Sequence, residues 1–385
     1  MTLSHSESRQ ATHRVGIVGG GQLARMMAEI APSLGISITV LDPTPSAPAS
    51  EFARQIVAEY DDASALCELA RLSDVVTIDI EAVNASSLAA LEAAHIRVAP
   101  SSRVVGIIQD KLLQKRYLAA AGLPVGEFAS IDTAAELSAF GLPCILKVRR
   151  HGYDGHGVKL IRHAHEALEL LARGPCLGER VVDIERELAV MLARNERGDI
   201  ALYPVVQAEF DARANILNTI QAPAQVDAAI AARCGALAQI SVDALAGVGI
   251  FGIEFFLTRT GDIVLNEISP RPHNSGHYTI EACETSQFAQ HLRAVTNMPL
   301  GSPRLLQPAT SFNLLGELNA HGVPDFHGLD SVADMAGAAV HLYGKNSVKP
   351  YRKMGHITVT ADSLDAAISK ARVLQQQVRV GGKPA

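Results

Sequence analysis

The sequence predicts a mixed α/β and α+β chain, with a parallel α/β front and a sheet-rich remainder. Three observations carry that expectation. Arg14-Val-Gly-Ile-Val-Gly-Gly-Gly-Gln-Leu-Ala-Arg-Met-Met27 reads as strand, glycine turn, helix, and strand-sized apolar runs then alternate with helix-sized ones, the pattern of a parallel sheet. Phe251-Gly-Ile-Glu-Phe-Phe-Leu257 and Ile263-Val-Leu-Asn-Glu-Ile268 read as two strands joined at Arg259-Thr-Gly-Asp262, a common hairpin length. Directly after them, Ser269-Pro-Arg-Pro-His-Asn-Ser-Gly-His277 has too much proline for a helix and too many polar groups for a core loop. A loop of that kind behind a buried strand is a place for chemistry.

Composition bounds the reading. The 385 residues suggest two or three domains, and 48% hydrophobic against 19% charged content suffices for substantial cores. The net charge of -6, with no basic tract or aromatic–basic interleaving, argues against a nucleic-acid partner. Cys67, Cys144, Cys176, Cys234 and Cys283 are scattered and form no C-x-x-C, which reads as reduced thiols in a cytoplasmic protein. Met1–Arg14 lacks the apolar region of a secretory signal. No run of about eighteen apolar residues announces a membrane span.

In the front, Gly19, Gly21 and Ala24 fit G-x-G-x-x-G/A, and Ile38-Thr-Val-Leu-Asp42 is a second strand ending in an acid at the expected separation. Strands are expected at Ile56–Ala58, Val75–Ile80 and Ile96–Ala99, and helices at Ala63–Leu72 and Ala85–Ala94. The glycine turn either brings backbone N–H groups to an anion or only packs helix on strand. Alone it suggests an NAD(P)-dependent oxidoreductase.

Ser101–Val105 opens a new region. Gln109–Ala121 is a strong helix, closed by Gly122 and Pro124. Lys111 near its start gains nothing from the helix dipole, so it either is solvated or holds an anion. Pro143-Cys-Ile-Leu-Lys-Val148 is a strand with a lysine inside an apolar run. Arg149–Gly157 follows as a basic, glycine-rich hairpin before strand Val158–Ile161. Its spacing is not a Walker loop. It is either a lid whose N–H groups cover phosphates or an ordinary flexible hairpin. Leu177–Asp183, Glu187–Ala193 and Ile200–Val206 read as strands, and Ala224–Ala246 as an alanine-rich helix.

In the hairpin, pairing Leu257 with Val264 sets Glu254 opposite Glu267, roughly 5 Å apart at Cβ. Facing carboxylates repel, so one is protonated or paired with a base, or a cation lies between them. Oxygen ligands without Cys or paired-His spacing point to magnesium. Farther on, Glu284–Asn297 is expected to be helical and Ile357–Thr360 a strand. Ser363 is expected to cap a closing helix, Leu364–Val378. Lys349, Arg352 and Lys353 form a basic cluster, either a solvated turn or an anion site.

Taken together, these stretches resemble the ATP-grasp superfamily, and within it the purine-biosynthetic carboxylases that make 5-(carboxyamino)imidazole ribonucleotide. The matching stretches are Gly19-Gly-Gly-Gln-Leu-Ala-Arg-Met26, Gln109-Asp-Lys111, Gly152-Tyr-Asp-Gly-His-Gly157, Asn266-Glu-Ile-Ser-Pro-Arg-Pro-His-Asn-Ser-Gly-His277, Asn313-Leu-Leu-Gly316, His341-Leu-Tyr-Gly-Lys345 and Lys353-Met-Gly-His356. They run in family order across almost the whole chain. The block from Asn266 to His277 is the most specific, and the first glycine turn the least.

The resemblance implies a Rossmann-like N-terminal domain (1–105), an ATP-grasp domain (106–300) with a mobile lid near 137–205, and a small C-terminal domain (301–385). It implies ATP-dependent carboxylation of 5-aminoimidazole ribonucleotide with bicarbonate, through carboxyphosphate, by a cytoplasmic homodimer without nucleic-acid or membrane partners. Lys111, Lys147 and the lid residues Gly152, Tyr153, Asp154, Gly155 and Gly157 would bind ATP phosphates. Glu179, Arg180, Val181, Val182 and Glu187 would hold adenine and ribose. Asn266 and Glu267 would complete the nucleotide site, with Glu254 and Glu267 as magnesium ligands. Gly21, Gln22, Leu23, Glu81, Tyr153, Asp154, Asn274, Ser275, Lys345, Arg352 and Lys353 would face the ribonucleotide. Arg271 and His273, with Lys353, would form the carboxylation centre.

Some positions depart from the family. Ala24 replaces a glycine, and His156 and Val158 replace a more polar or basic pair. Gln207–Asn215 stands where a His-Arg-Asp-Gly-like run is usual.

The chemistry agrees with these residue types. Bicarbonate is a poor electrophile until phosphorylated, and phosphoryl transfer needs a metal ion and cationic groups. An arginine holds bicarbonate or carboxyphosphate bidentately. A histidine of ordinary pKa, near working pH, relays a proton. Two rivals remain. A formate-dependent glycinamide ribonucleotide transformylase also activates a one-carbon acid. The NAD(P) oxidoreductase leaves the facing glutamates unexplained.

Overall fold

The computed structural model describes residues 12–150, 157–211 and 216–383. The front comprises β1 (His13–Val18), α1 (Gln22–Ile30), β2 (Ile36–Leu41), β3 (Arg54–Ile56), α2 (Ala63–Arg71), β4 (Val75–Ile78) and α3 (Ala85–Ala93). Its strands form a parallel sheet in the order β3-β2-β1-β4. β4 is buried along its whole length, as a strand covered on both faces must be. Ile96–Ala99 contributes only the isolated bridge Val76↔Val98. Pro100 follows at once and has no N–H to extend a ladder.

Two helices lead into the centre, α4 (Ser102–Ile108) and α5 (Lys111–Ala120). The expected start at Gln109 shifts because Asp110 is the N-cap, accepting from the N–H groups of Leu112 and Leu113 at 3.0 and 3.2 Å. Next come β5 (Phe128–Ile131), α6 (Ala134–Phe140), β6 (Cys144–Val148), β7 (Val158–Ile161), α7 (Leu168–Ala172) and β8 (Cys176–Arg180). Their strands form an antiparallel sheet, β5-β8-β6-β7, over a separate core that includes Ile131, Leu137, Leu146 and Ile161. In this register Glu179 opposes Ile145, so Glu179 and Lys147 are diagonal neighbours on one face.

The remaining elements are β9 (Ile184–Arg194), β10 (Ile200–Leu202), β11 (Val206–Asp211), β12 (Ile216–Ala222), α8 (Ala228–Leu245), β13 (Gly249–Thr258), β14 (Ile263–Ser269), α9 (Thr279–Ala282), α10 (Gln287–Val295), β15 (Ala309–Leu315), β16 (Val323–His327), α11 (Asp330–Ala333), β17 (Ala338–Leu342), β18 (Lys353–Thr360), α12 (Leu364–Gln377) and β19 (Arg379–Lys383). One antiparallel sheet of nine strands runs β14-β13-β9-β11-β12-β15-β18-β17, with β10 also paired to β9. It passes through the expected division at residue 300. The single strand expected over 200–206 is two, β10 and β11, with Pro204 between them. Ser363 caps α12 as expected, accepting from Ala366 N–H at 3.3 Å.

Helix α8 is long and apolar enough by length and composition to cross a membrane, a feature the sequence reading missed. It packs Cys234, Ala238, Val242 and Leu245 into the main core beside Phe251 and Phe255. Its exposed positions include Arg233, Gln239 and Asp243.

The glutamate hairpin has the expected four-residue loop, but its register near the turn is one residue out. Leu257 pairs with Ile263 and Phe256 with Val264, and a bulge at Asn266 then restores the pair Glu254↔Glu267. Side chains on a regular strand alternate between faces, and a bulge re-aims them. Consecutive Asn266 and Glu267 therefore serve one polar cluster.

Candidate active site

The cluster is built from α5, β6, β8, β13 and β14. From α5, Lys111 Nζ lies 2.6 Å from Glu267 Oε2 and Lys115 Nζ lies 2.7 Å from Glu179 Oε1. From β6, Lys147 Nζ lies 2.6 Å from Glu179 Oε2 and donates to Asn266 Oδ1 at 3.1 Å. Asn266 Nδ2 donates to Glu254 Oε2 at 3.3 Å. The charges are unequally shared. Lys111 beside Glu267 holds that carboxyl well below the usual range, against the cost of its burial. Burial, reinforced by the charges of Glu267 and Glu187, pushes Glu254 well up. Glu187 is itself pushed up to about 7 by burial. Of the facing carboxylates, Glu267 is thus the ionised one, and burial favours the neutral form of Glu254.

Lys115 escaped the sequence reading, though it follows Lys111 by one helical turn. It is buried and spends its other two donors on the carbonyls of Leu265 (3.0 Å) and Val125 (3.3 Å). Glu179, expected at adenine and ribose, is clamped between this lysine and Lys147. Beyond it, Arg180 donates to Glu127 at 3.2 Å, and Val181 and Val182 lead into β9. A narrow cleft between β9, β11, β12 and β13 is lined by Glu187, Ala189, Phe210, Ile220, Glu254 and Ser275.

The proline-flanked loop brings the domains together. Arg271 Nη2 meets Glu81 Oε2 of the front domain at 2.8 Å. His273 Nε2 lies 3.7 Å from Glu254 Oε1, and its Nδ1 lies 2.8 Å from Ser275 Oγ. Asn274 and Ser275 form a short 3-10 turn. The expectation that His273 titrates near working pH is corrected. Burial, then the charges of Arg271 and Lys353, push it down to about 4, so the ring is neutral at neutral pH.

From the C-terminal side, Lys353 opens β18. Lys345 Nζ donates to Lys353 O at 2.8 Å, and Arg352 holds Ser347 O and Oγ at 2.9 and 2.7 Å. His277, His356 and His341 stack in series, with centroids 4.6 and 4.7 Å apart, and fasten the loop to β17 and β18. Gly152, Tyr153, Asp154 and Gly155 lie outside the described residues, as does part of Gln207–Asn215. Before the expected lid, Arg149 and Arg150 both reach Asp110. Gly157 opens its far side with φ +81°, a left-handed conformation that glycine adopts at little cost.

The glycine turn has a different use from the dinucleotide one. Gly20 N–H donates to Asp42 at 2.8 Å, while Gly21 and Ala24 N–H donate to Asp79 at 2.7 and 3.2 Å. Two carboxylates from the ends of the protein's own strands take these N–H groups. Asp42 is also held by Tyr60 OH at 3.1 Å. Gln22 and Leu23 begin α1 beside this arrangement. Asp79, at the end of β4, was missed. Its only signal was an acid closing an apolar strand.

Fold and site define an ATP-grasp ligase: a parallel front domain, a two-sheet centre holding lysines against carboxylates, and a C-terminal unit closing the loop. Comparison with known proteins agrees. Residues 12–109 match the ribonucleotide synthetase preATP-grasp domain, 116–288 the ATP-grasp domain, and 309–370 the phosphoribosylaminoimidazole carboxylase C-terminal domain. The chain belongs to the N5-carboxyaminoimidazole ribonucleotide synthase family. It is 41% identical over 374 residues to the Synechococcus elongatus enzyme of that name, covering 94% of this chain and 92% of the relative. It is 38% identical to the Bacillus subtilis enzyme, over 89% of this chain and 90% of the other. The Thermotoga maritima crystal structure superposes with a TM-score of 0.89 at 42% identity, covering 97% of this chain and 100% of that one. The Aspergillus clavatus enzyme, in complex with ADP and 5-aminoimidazole ribonucleotide, gives a TM-score of 0.86 at 34% identity, covering 95% and 98%.

Proposed function

We propose that this chain carboxylates the exocyclic amine of 5-aminoimidazole ribonucleotide, using ATP and bicarbonate and releasing ADP and phosphate, in purine biosynthesis. One observation carries the reading: Glu81, Arg271 and Lys353, from three parts of the chain, converge beside the lysine–glutamate cluster. The Aspergillus clavatus complex supports both the nucleotide and the ribonucleotide.

Lys111 and Lys147 bind the ATP phosphates, leaving the carboxylates that neutralise them at rest. Glu187 and the segment from Glu179 to Val182 hold the nucleoside. Glu254 and Glu267 fit a magnesium ion, because they face each other across the hairpin and offer the oxygen donors that ion takes. That ion would neutralise charge on the transferring phosphoryl group. Arg271 holds bicarbonate or carboxyphosphate in its planar fork. His273, neutral, takes a hydrogen bond from the reacting amine or donates one to the carboxylate formed. The lid, with Tyr153 and Asp154, excludes water from the unstable intermediate. Gly21, Gln22, Leu23, Asn274, Ser275, Lys345, Arg352 and Lys353 hold the ribonucleotide. Domain limits near 105 and 300, a cytoplasmic location and a homodimer complete the proposal.

The test is ATP hydrolysis with each amine and each acid omitted in turn. Phosphate release that requires both 5-aminoimidazole ribonucleotide and bicarbonate is the expected result. Stimulation by formate with glycinamide ribonucleotide would select the transformylase rival.

A further inference from the structure

The segment carrying Arg271 and His273 is held at both ends by the same device. At its start, Gln114 of α5 accepts from Ile268 N–H at 2.9 Å and donates to Ile268 O at 3.1 Å. At its end, Gln287 of α10 accepts from His273 N–H at 2.9 Å and donates to His273 O at 2.8 Å. Each side-chain amide therefore pairs with both main-chain groups of one residue, as a neighbouring strand would. Both glutamines are buried, Gln287 completely.

The segment between has little freedom of its own. Pro270 and Pro272 fix φ on either side of Arg271 and supply no N–H. A glutamine pairing both backbone groups of its target removes translation and twist together, which one hydrogen bond does not. Gln287 is itself fixed: its Nε2 also lies 2.9 Å from His277 Nδ1, and its own N–H donates to Thr279 Oγ1 at 2.8 Å. Thr279 Oγ1 in turn donates to Gly276 O at 2.6 Å. A Cβ on Gly276 would come within 2.4 Å of Gln287 Oε1, so the loop closes tightly on this amide.

We propose that Gln114 and Gln287 are positioning residues that set the alignment of Arg271 and His273 for carboxyl transfer. Neither is assigned to touch nucleotide or ribonucleotide. This inference rests on the carboxylation reading, because alignment matters most where a short-lived activated acid must meet an amine. Misplacement of a reacting group by about 1 Å costs on the order of a hundredfold in rate. When alignment is lost, activated bicarbonate decomposes before capture, and ATP is consumed without product.

The experiment compares wild type with Gln287→Met, Gln114→Met and Gln287→Glu, measuring ADP formed, labelled bicarbonate fixed and KM for ATP. Melting temperatures are recorded alongside. For the methionine variants we expect kcat for carboxylation to fall about ten- to a hundredfold. ATP KM should stay within about twofold, and the ratio of ADP to fixed carboxylate should rise above one. Gln287→Glu adds a readout that a merely structural role would not move. Ionised, this carboxylate accepts from His273 N–H but repels His273 O. Protonated, it donates again. Its groups in contact are His273 and His277, with the charges of Arg271 and Lys353 acting on both rings. Carboxylation by Gln287→Glu relative to wild type should therefore recover as pH falls, while Gln287→Met should show no such recovery. Folded methionine variants with wild-type kcat and one ADP per carboxylate would overturn the proposal. So would equal losses in carboxylation and ATP binding that track the melting temperature, with a flat relative pH profile for Gln287→Glu. Failure of the wild type to fix bicarbonate would instead overturn the functional reading.

Discussion

Arg271 lies 2.8 Å from Glu81, so two roles compete for it. As a brace, it ties the loop to the front domain. As a reaction-centre group, it offers bicarbonate a planar fork that lysine cannot reproduce. The proposed function predicts that Arg271→Lys loses on the order of a hundred- to a thousandfold in kcat with little change in ATP affinity. Kinetics beside a thermal melt separate the roles: early melting with near-normal turnover in the cold would make it a brace. For Glu267, the ion pair with Lys111 and the opposed Glu254 lead to a second expectation. Glu267→Gln should nearly abolish turnover and weaken its dependence on magnesium. An unchanged magnesium titration would remove the metal site. Most of these residues were legible because their types are unusual where they stand: a lysine within the apolar strand Cys144–Val148, glutamates within an apolar hairpin, an arginine between prolines. Lys115 and Gln287 were not, because nothing local distinguishes them from ordinary helix residues. Only tertiary packing gives them their partners.

At the scale of elements, the bulge at Asn266 is what alternation cannot reveal. The hairpin pairing Glu254↔Glu267 came out right while the register at the turn did not, since one extra residue on β14 cancels the one-residue error. The helix that starts at Lys111 is a second case. Its cap, Asp110, also receives both Nε and Nη2 of Arg149 at 3.0 and 2.6 Å, and Lys111 N–H donates to Arg149 O at 3.0 Å. The start of α5 and the segment that follows β6 are thereby one unit. Although burial opposes it, the Arg149 guanidinium and the helix N–H groups hold Asp110 below its usual range. Its contribution is therefore present at neutral pH and is lost as pH falls below the ordinary aspartate range. Asp110→Ala should cost about 1–2 kcal/mol from the cap alone, measured by denaturant unfolding at pH 7. A cost that stays the same at pH 3 would contradict the ionised form as its source.

Across the whole molecule, His291 of α10 joins the parallel front sheet to the nine-stranded sheet. Its Nδ1 accepts from Ile250 N–H of β13 at 3.1 Å, which leaves Nε2 to donate to Thr77 Oγ1 of β4 at 2.8 Å. Burial pushes its pKa down to about 3, against about 6.5 in an unfolded chain. Between those values the unfolded chain binds a proton that the folded one refuses. Its contribution is thus full above about pH 6.5 and declines as pH falls, by up to about 1.4 kcal/mol per unit. His277 and His356 are also pushed down, burial being the main cause, so they act with the same sign. Asp79, pushed up to about 6 by burial, opposes them over part of the range. The informative comparison is therefore His291→Gln, which keeps an acceptor and a donor but does not titrate. Its melting temperature should fall less than that of wild type between pH 6.5 and 4, and parallel curves would contradict the account. No sequence pattern announces this histidine. Its partners lie 214 and 41 residues away along the chain.

The central claim is that ATP activates bicarbonate as carboxyphosphate and that the carboxyl group then passes to the ribonucleotide amine. In that sequence a bicarbonate oxygen attacks the γ-phosphorus, and the bond later broken is the one from that oxygen to carbon. The oxygen therefore leaves with phosphate. The most direct measurement supplies bicarbonate labelled with heavy oxygen, together with ATP and 5-aminoimidazole ribonucleotide, and examines the released phosphate by mass spectrometry. One labelled oxygen per phosphate, formed in step with carboxylated product, is the predicted result. Phosphate that carries only solvent oxygen while product accumulates would contradict it.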